Sequence, residues 1–322
     1  MTPDITVILA SYNRAQDLTR TLEGMVRTEK KDLSVEFVVV DNGSKDQTKA
    51  VVESFSKHLQ MKYLFEPRSG KCAALNCALD RGGLGEIIVF TDDDVDVPPD
   101  WLASIRSVCD RWPEHSVFGG RINVIFPKEN IPNWAFDPYI SQLAFAAHQY
   151  SNQECVYEGS DVPFGPNYWV RGKVFDNGRR FDETIGPHPT NRMLGDETAF
   201  LLDLLHDGYR IVHSPMAIVS HRIQPKILHL PSIYRRAYDS GRGEAHILGL
   251  PHPTLLGQNP AAWRMYRYGS IIFFSFKVLT SFIFSSKSQR PLNGAKSLRG
   301  LGYRVEVIRL ANQALTQLRQ RS

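Results

Sequence analysis

Four carboxylates crowd into five consecutive positions, as Asp92, Asp93, Asp94 and Asp96 with Val95 between. The run follows directly on an apolar stretch at 86–90. Acids packed this closely repel one another unless a cation sits among them, and hard carboxylate oxygens suit Mg²⁺ or Mn²⁺. Mg²⁺ characteristically takes one or two carboxylates together with substrate phosphates, so a phosphate-bearing substrate is implied. The run could also serve as an acidic turn before the helix start at Pro98-Pro99, where the helix dipole favours negative charge. A glycine cradle for phosphate is missing: there is no P-loop, and no G-x-G-x-x-G follows the first strand. Gly82-Gly83-Leu84-Gly85 precedes a strand and reads as a turn.

The elements that must position these acids alternate over the first hundred residues. Residues 5–10 and 36–40 are short apolar runs, each ending in polar residues, and 62–65 and 86–90 are two more strand signals. Between them Leu18, Leu22, Met25 and Val26 recur with helical spacing, as do Val51, Phe55 and Leu59, and 72–79 reads as a third helix. Asn13 is placed to cap the first helix, and Ser44 with Gln47 forms a capping-box pattern before the second. A β-α-β-α order implies a parallel sheet with helices on both faces, and such sheets bind ligands beyond the carboxyl ends of their strands. Residues 11–14, 41–44, 66–71 and 91–96 therefore matter most. Further on, 116–126 reads as a strand, 127–160 as irregular, 198–206 as a helix stopped by Gly208, and 209–213 and 216–219 as strand pieces. After about residue 224 the pattern is helical.

Hydrophobic residues make up 42% and charged residues 22% of the 322, the balance of a folded globular chain. The net charge of +4 is uneven: from Ala245 onward there are eleven Lys or Arg and one acid, Glu306. Such a tail suits an anionic partner. The four cysteines form no C-x-x-C pair and fit reduced thiols, pointing to the cytoplasm. No signal peptide is expected. The apolar stretch 271–284 is shorter than the roughly 20 residues of a spanning helix and contains Lys277, so it reads either as a helix in contact with a membrane surface on the cytoplasmic face or as a buried helix.

Six blocks in order make a resemblance specific: ITVILASYNR, FVVVDNGSKDQT, FEPRSGKCAALN, IIVFTDDDVDVPPDWL, FGPNYWVRGKVFD and GDETAFLLDLLHDGYRIVHSPMAIVSH. Together, over about residues 4–222, they resemble the inverting family 2 glycosyltransferases of the GT-A fold. The resemblance implies an α/β catalytic domain at 1–225, with a nucleotide-binding half to about 115 and an acceptor-side half at 116–225. Residues 226–322 then form a helical, basic C-terminal region.

The resemblance also implies roles. Ser11, Tyr12 and Arg14 border the nucleoside, with the Tyr12 ring able to stack on the base. Asp41 accepts from base or ribose. Arg68 and Lys71 lie near the diphosphate. Asp92 and Asp94 form the D-x-D element, Asp92 toward ribose and Asp94 on Mn²⁺ or Mg²⁺, with Asp93 beside them. Gly165 and Asn167 belong to a loop near donor sugar and acceptor. His221 matches a position where some relatives bind the metal. Asp196 and Glu197 match the paired acids that carry the catalytic base, in inverted order, and position favours Glu197. The donor is expected to be a nucleotide sugar, a UDP-sugar first, and the acceptor a glycan or lipid-linked glycan in polysaccharide or cell-surface glycan synthesis.

Other classes make different demands. A nucleotidyltransferase making nucleotide sugars would carry a Gly-rich basic loop after 5–10, which is absent. An inactive nucleotide-sugar-binding module would not need both acidic motifs. Nucleic acid is not an expected partner, because the sheet region carries no such motif. Two further expectations concern the rest of the chain: that loop 186–195 is a mobile lid over the donor, and that Tyr234-Arg235-Arg236 and Gly241-Arg242-Gly243-Glu244 help hold the acceptor or its phosphate, the alternative being a helix–turn junction with its arginines in solvent.

Overall fold

The computed structural model describes residues 2–30, 32–128, 130–188, 191–249 and 260–321. The chain divides into two compact units: one of residues 1–126, 146–184 and 196–223, the other of 127–145, 185–195 and 224–322. The expected boundary near 225 is close to the last of these breaks. The segments 127–145 and 185–195, however, leave the catalytic stretch and belong with the C-terminal helices.

The first unit is a mixed sheet. Strands β1 (Ile5–Ser11), β2 (Val35–Asp41), β3 (Gln60–Phe65) and β4 (Ile87–Asp92) run parallel in the order β3-β2-β1-β4. The sheet continues through β8 (Tyr168–Arg171), β6 (Val117–Ile125), β9 (Ile211–Arg222) and the two-residue β5 (Val95–Asp96), with β7 (Cys155–Val156) on the side of β9. β8 is antiparallel to both neighbours, so the parallel arrangement expected from the first hundred residues stops at β4.

Period-two alternation along the central strands feeds two cores. Val7 and Leu9 face Leu18, Leu22 and Met25 of α1 (Ala15–Val26) and Trp101, Leu102 and Ile105 of α4 (Trp101–Arg111). Ile8, Val38 and Val40 face α3 (Lys71–Asp80) and Phe200, Leu201 and Leu204 of α6 (Asp196–His206). α2 (Thr48–Phe55) covers the first face through Val52.

Neither expected cap forms: α1 starts after Arg14 and α2 after Gln47, without side-chain caps. Asn13 instead accepts from Lys45 N through Oδ1 (2.8 Å) and donates its own N–H to Ser44 Oγ (2.9 Å), while Asp46 accepts from Ala15 N (2.9 Å). These bonds lace the loops after β1 and β2 together.

The second unit is helical: α5 (Pro138–Phe145), α7 (Leu230–Leu248), α8 (Pro260–Ile283) and α9 (Arg290–Arg321). α5 lies where irregular chain was expected. Gly241, Gly243 and Gly302 permit close approach: a Cβ on Gly241 would come 1.9 Å from Arg299 O, one on Gly243 1.7 Å from Leu194 O, and one on Gly302 2.1 Å from Tyr238 O. Segment 185–195 is tied to α7 by Leu194 N to Asp239 O (3.3 Å) and by Arg242, whose Nη2 donates to Asn191 Oδ1 (2.7 Å). Such anchoring opposes the mobile lid expected at 186–195, of which residues 189 and 190 lie outside the described residues. Arg242 is likewise spoken for: Nε donates to the buried Glu306 (2.7 Å) and Nη1 to Arg192 O (3.2 Å). It braces α7 against α9 and the 191–192 turn.

Candidate active site

Strand register alone brings much of the site together. In the parallel sheet Ser11 pairs with Asp41 and Ala10 with Asp92, so the carboxyl ends of β1, β2 and β4 finish level. The turn beyond β4 carries Asp93 and Asp94 into β5. β5 then pairs antiparallel with β9, Val95 opposite His221, and this register delivers a histidine 127 residues away to Asp94. Arg222, the next residue, locks the junction: it donates to Val95 O (2.6 Å), Asp17 O (2.8 Å) and Thr21 Oγ1 (2.8 Å), and pairs with Asp96. Arg222 was not legible as a site-building residue, since its partners lie on two elements, α1 and β5, far away in sequence.

Asp93 and Asp94 are both buried. Ser11 Oγ donates to Asp93 Oδ2 (2.7 Å), and Arg14 lies 3.3 Å from Asp93 and 2.6 Å from Asp94 Oδ2. His221 Nε2 is 3.2 Å from the same Asp94 oxygen. Burial raises the Asp93 carboxyl to about 7, against the pull of Arg14. Burial acts the same way on Asp94, but His221 and Arg14 outweigh it and hold that carboxyl below its usual range. Asp94 Oδ1 is buried and has no hydrogen-bond partner among the described residues.

A second group lies around Lys71, the first residue of α3. Gly70 before it has φ +127°, a conformation that favours glycine, and its N–H donates to Asn42 Oδ1 (2.9 Å). Lys71 Nζ donates to Asp92 Oδ1 (2.7 Å). Burial would lower the ammonium's pKa, but Asp92, Asp196 and Glu197 outweigh it and keep the group charged. Gly165 N donates to Glu197 Oε1 (3.3 Å), and a Cβ there would come 3.3 Å from both Glu197 Cδ and Lys71 Nζ, so glycine lets the loop lie on that pair. The loop is held by Thr91 Oγ1 donating to Pro166 O (2.7 Å).

The two acids at the start of α6 differ. Asp196 is buried, Glu197 half-buried. Burial and then the Glu197 charge push the Asp196 carboxyl well above its usual range, with Lys71 opposing. Asp196 Oδ2 and the hydroxyl of Tyr168 are buried with no hydrogen-bond partner among the described residues. Tyr168 was not singled out from the sequence, where it is one aromatic in an apolar run.

The remaining expected residues divide. Tyr12 is 50% exposed, open for stacking. Asp41 is buried, accepting from Ser44 N (2.7 Å) and Tyr63 Oη (2.8 Å). Arg68 is turned outward, its side chain 57% exposed and paired with Glu66 (2.8 Å) and Glu183 (3.0 Å), apart from the acids after β4. Asn167 is wholly buried: it donates to Arg121 O (3.0 Å) and Ala217 O (2.8 Å) and accepts from Trp101 Nε1 (3.2 Å). It secures β6, β9 and α4 beneath the Gly165 loop. A cleft of about 1020 Å³ opens at the other end of the strands, beside Asp4, Glu86 and Arg171, away from all these acids.

The mixed sheet flanked by helices, with a helical C-terminal region, is that of the GT-A fold. Residues 6–154 match the family model described as glycosyl transferase family 2. It is 23% identical over 255 residues to glycosyltransferase AglE of Haloferax volcanii, covering 79% of this chain and 77% of that one. It is also 30% identical over 130 residues to the GalNAc(5)-diNAcBac-PP-undecaprenol beta-1,3-glucosyltransferase of Campylobacter jejuni, covering 39% of this chain and 40% of that one. The fold is shared with a mannosyltransferase from Pyrobaculum calidifontis solved with GDP-Man and Mn²⁺, at 18% identity and TM-score 0.54, covering all of this chain and 76% of that one.

Proposed function

We propose that this glycosyltransferase moves a sugar from a nucleotide-sugar donor, a UDP-sugar first among candidates, to a hydroxyl of a glycan or lipid-linked glycan with inversion at the anomeric carbon. The observation that carries the reading is the placing of two acidic groups, Asp92–Asp94 and Asp196–Glu197, at the carboxyl end of the parallel strands with Lys71 between them. Polysaccharide or cell-surface glycan synthesis is the setting we propose.

Asp94 and His221 are the residues we assign to a divalent metal. The donor set fits: a carboxylate with one buried oxygen lacking a partner, and an imidazole nitrogen beside its other oxygen. Mn²⁺ or Mg²⁺ bound there would offset charge on the leaving diphosphate. Arg14 already lends positive charge to Asp93 and Asp94, and Lys71 is the cation we place beside the donor phosphates, a part for which the outward-facing Arg68 is poorly placed. Tyr12 offers the ring for the base.

Glu197 is the proposed base. Burial and the Glu197 charge push the Asp196 carboxyl upward, whereas Glu197 is half-buried, reachable by an acceptor hydroxyl and oriented by the Gly165 N–H. The acceptor hydroxyl gives its proton to Glu197 as its oxygen bonds to the anomeric carbon. The bond from that carbon to the phosphate oxygen breaks on the opposite face, and the nucleoside diphosphate leaves with the electron pair. The test is product analysis with Glu197→Gln beside Asp196→Asn. Loss of transfer in Glu197→Gln with donor binding kept supports the assignment; full transfer by Glu197→Gln removes it.

A further inference from the structure

From Tyr268 to Ile283, α8 carries Lys277 as its one charged residue, and one side of this stretch is covered. Phe274 lies on Gly300 of α9, where a Cβ would come 2.6 Å from the ring; Phe282 meets the Tyr234 ring edge-on at 5.3 Å; and Ser281 is buried. Successive residues step about 100° around a helix, which gathers Tyr268, Ile272, Phe276, Leu279 and Ile283 on the other side with Phe273 at its margin. All six are more than half exposed, as is Phe284 just past the helix end. A helix face turned to water ordinarily carries charge. Here the cation is Lys277 at the margin, drawn over the Phe273 ring at 5.0 Å.

The surrounding charge indicates what covers this side. From residue 245 onward Glu306 is the sole acid against eleven Lys or Arg, and Glu306 is buried in the grip of Arg242, His246 and Arg309. A second copy would bring one basic surface against another. An anionic bilayer would meet both the aromatic and aliphatic side chains and the basic rim. No helix among the described residues is long and apolar enough to cross a membrane, so the helix would lie along the surface. We propose that the open side of α8 seats in the interfacial layer of an anionic lipid bilayer. This docking does not depend on the sugar-transfer chemistry.

The test is flotation of the full chain with phosphatidylcholine vesicles, with and without about 30% phosphatidylglycerol to supply negative surface potential. The chain should float with the anionic vesicles and much less with the neutral ones. Replacing Ile272 and Phe276 together by Ser should lower partitioning by about tenfold or more through lost apolar burial, with the unfolding midpoint unchanged because both residues are exposed. Lys277→Gln should lower binding to the anionic vesicles by about fivefold and leave binding to neutral ones as it was. Failure of the wild-type chain to float, equal flotation with neutral vesicles, or undiminished binding by the double variant would overturn the proposal. Self-association in sedimentation velocity without lipid, abolished by the double variant, would assign the surface to a second copy instead and equally overturn it.

Discussion

Both units bury acids, and they treat them in opposite ways. In the helical unit cations surround each acid: Glu306 Oε1 has His246 at 2.9 Å and Arg309 at 2.5 Å, its Oε2 has Arg242 at 2.7 Å, and Asp239 has Arg235 and Arg192. In the sheet unit five acids, Asp92, Asp93, Asp94, Asp196 and Glu197, share Arg14, Lys71 and His221, and oxygens of Asp94 and Asp196 are buried with no hydrogen-bond partner among the described residues. Buried carboxylates cost free energy unless paired. The paired set is what a fold needs for itself. The under-paired set has capacity for something more, and the function proposed above assigns that capacity to a metal and a nucleotide sugar.

The sharpest way to break this contrast is Glu197→Gln. Loss of a general base typically costs about 10²- to 10⁴-fold in rate, so kcat for transfer should fall by that much while donor binding, measured by calorimetry, changes little. Next come the carboxylates compared for stability. Glu306→Ala should destabilise the protein by about 3 kcal/mol, because it strands buried cations, whereas Asp196→Asn should leave urea unfolding unchanged or shift it to higher urea, because burial and the Glu197 charge already disfavour that carboxylate. Equal destabilisation by both would erase the distinction between the units.

A smaller effect separates the acids from the neutral cluster in the same unit. Tyr157 Oη bridges His148 Nε2 (2.7 Å) and His213 Nδ1 (3.2 Å), and burial, then His213, depresses the His148 pKa from 6.5 to about 4. The unfolded chain therefore binds more protons between those values, so stability is complete above about 6.5 and falls as pH drops toward 4. The loss is of the order of 2–3 kcal/mol, and unfolding midpoints of wild type and His148→Phe across that range should differ in slope. Smallest of all, Arg68→Ala should change donor affinity and stability by under about 0.5 kcal/mol, as exposed ion pairs do. A large loss of donor affinity would return Arg68 to the diphosphate.

Much of the first unit could be read from local pattern. Apolar runs of strand length alternating with helical stripes located β1 to β4 and the loops beyond them, and four acids after a strand marked the metal chemistry. What could not be read depends on pairing between distant segments. His221 reaches Asp94 because a two-residue strand pairs with a twelve-residue one, and neither Val95-Asp96 nor the stretch around Met216 announces its partner. Asn13 and Ser44 carried cap chemistry but satisfy each other's loop. Arg242 was expected to help hold the acceptor; its partner Glu306, 64 residues away, had no local signal. Asn167 sat in the right block, yet its amide is consumed by backbone carbonyls and Trp101.

The central claim is that the under-paired acids hold a metal and a nucleotide sugar together. The measurement is calorimetric binding of a nucleotide-sugar panel with Mn²⁺, Mg²⁺ or chelator, for wild type and Asp94→Ala. The account requires one donor to bind in the presence of metal, with binding lost on chelation and in the variant. Binding that ignores both metal and Asp94, or no binding by any donor, would contradict it.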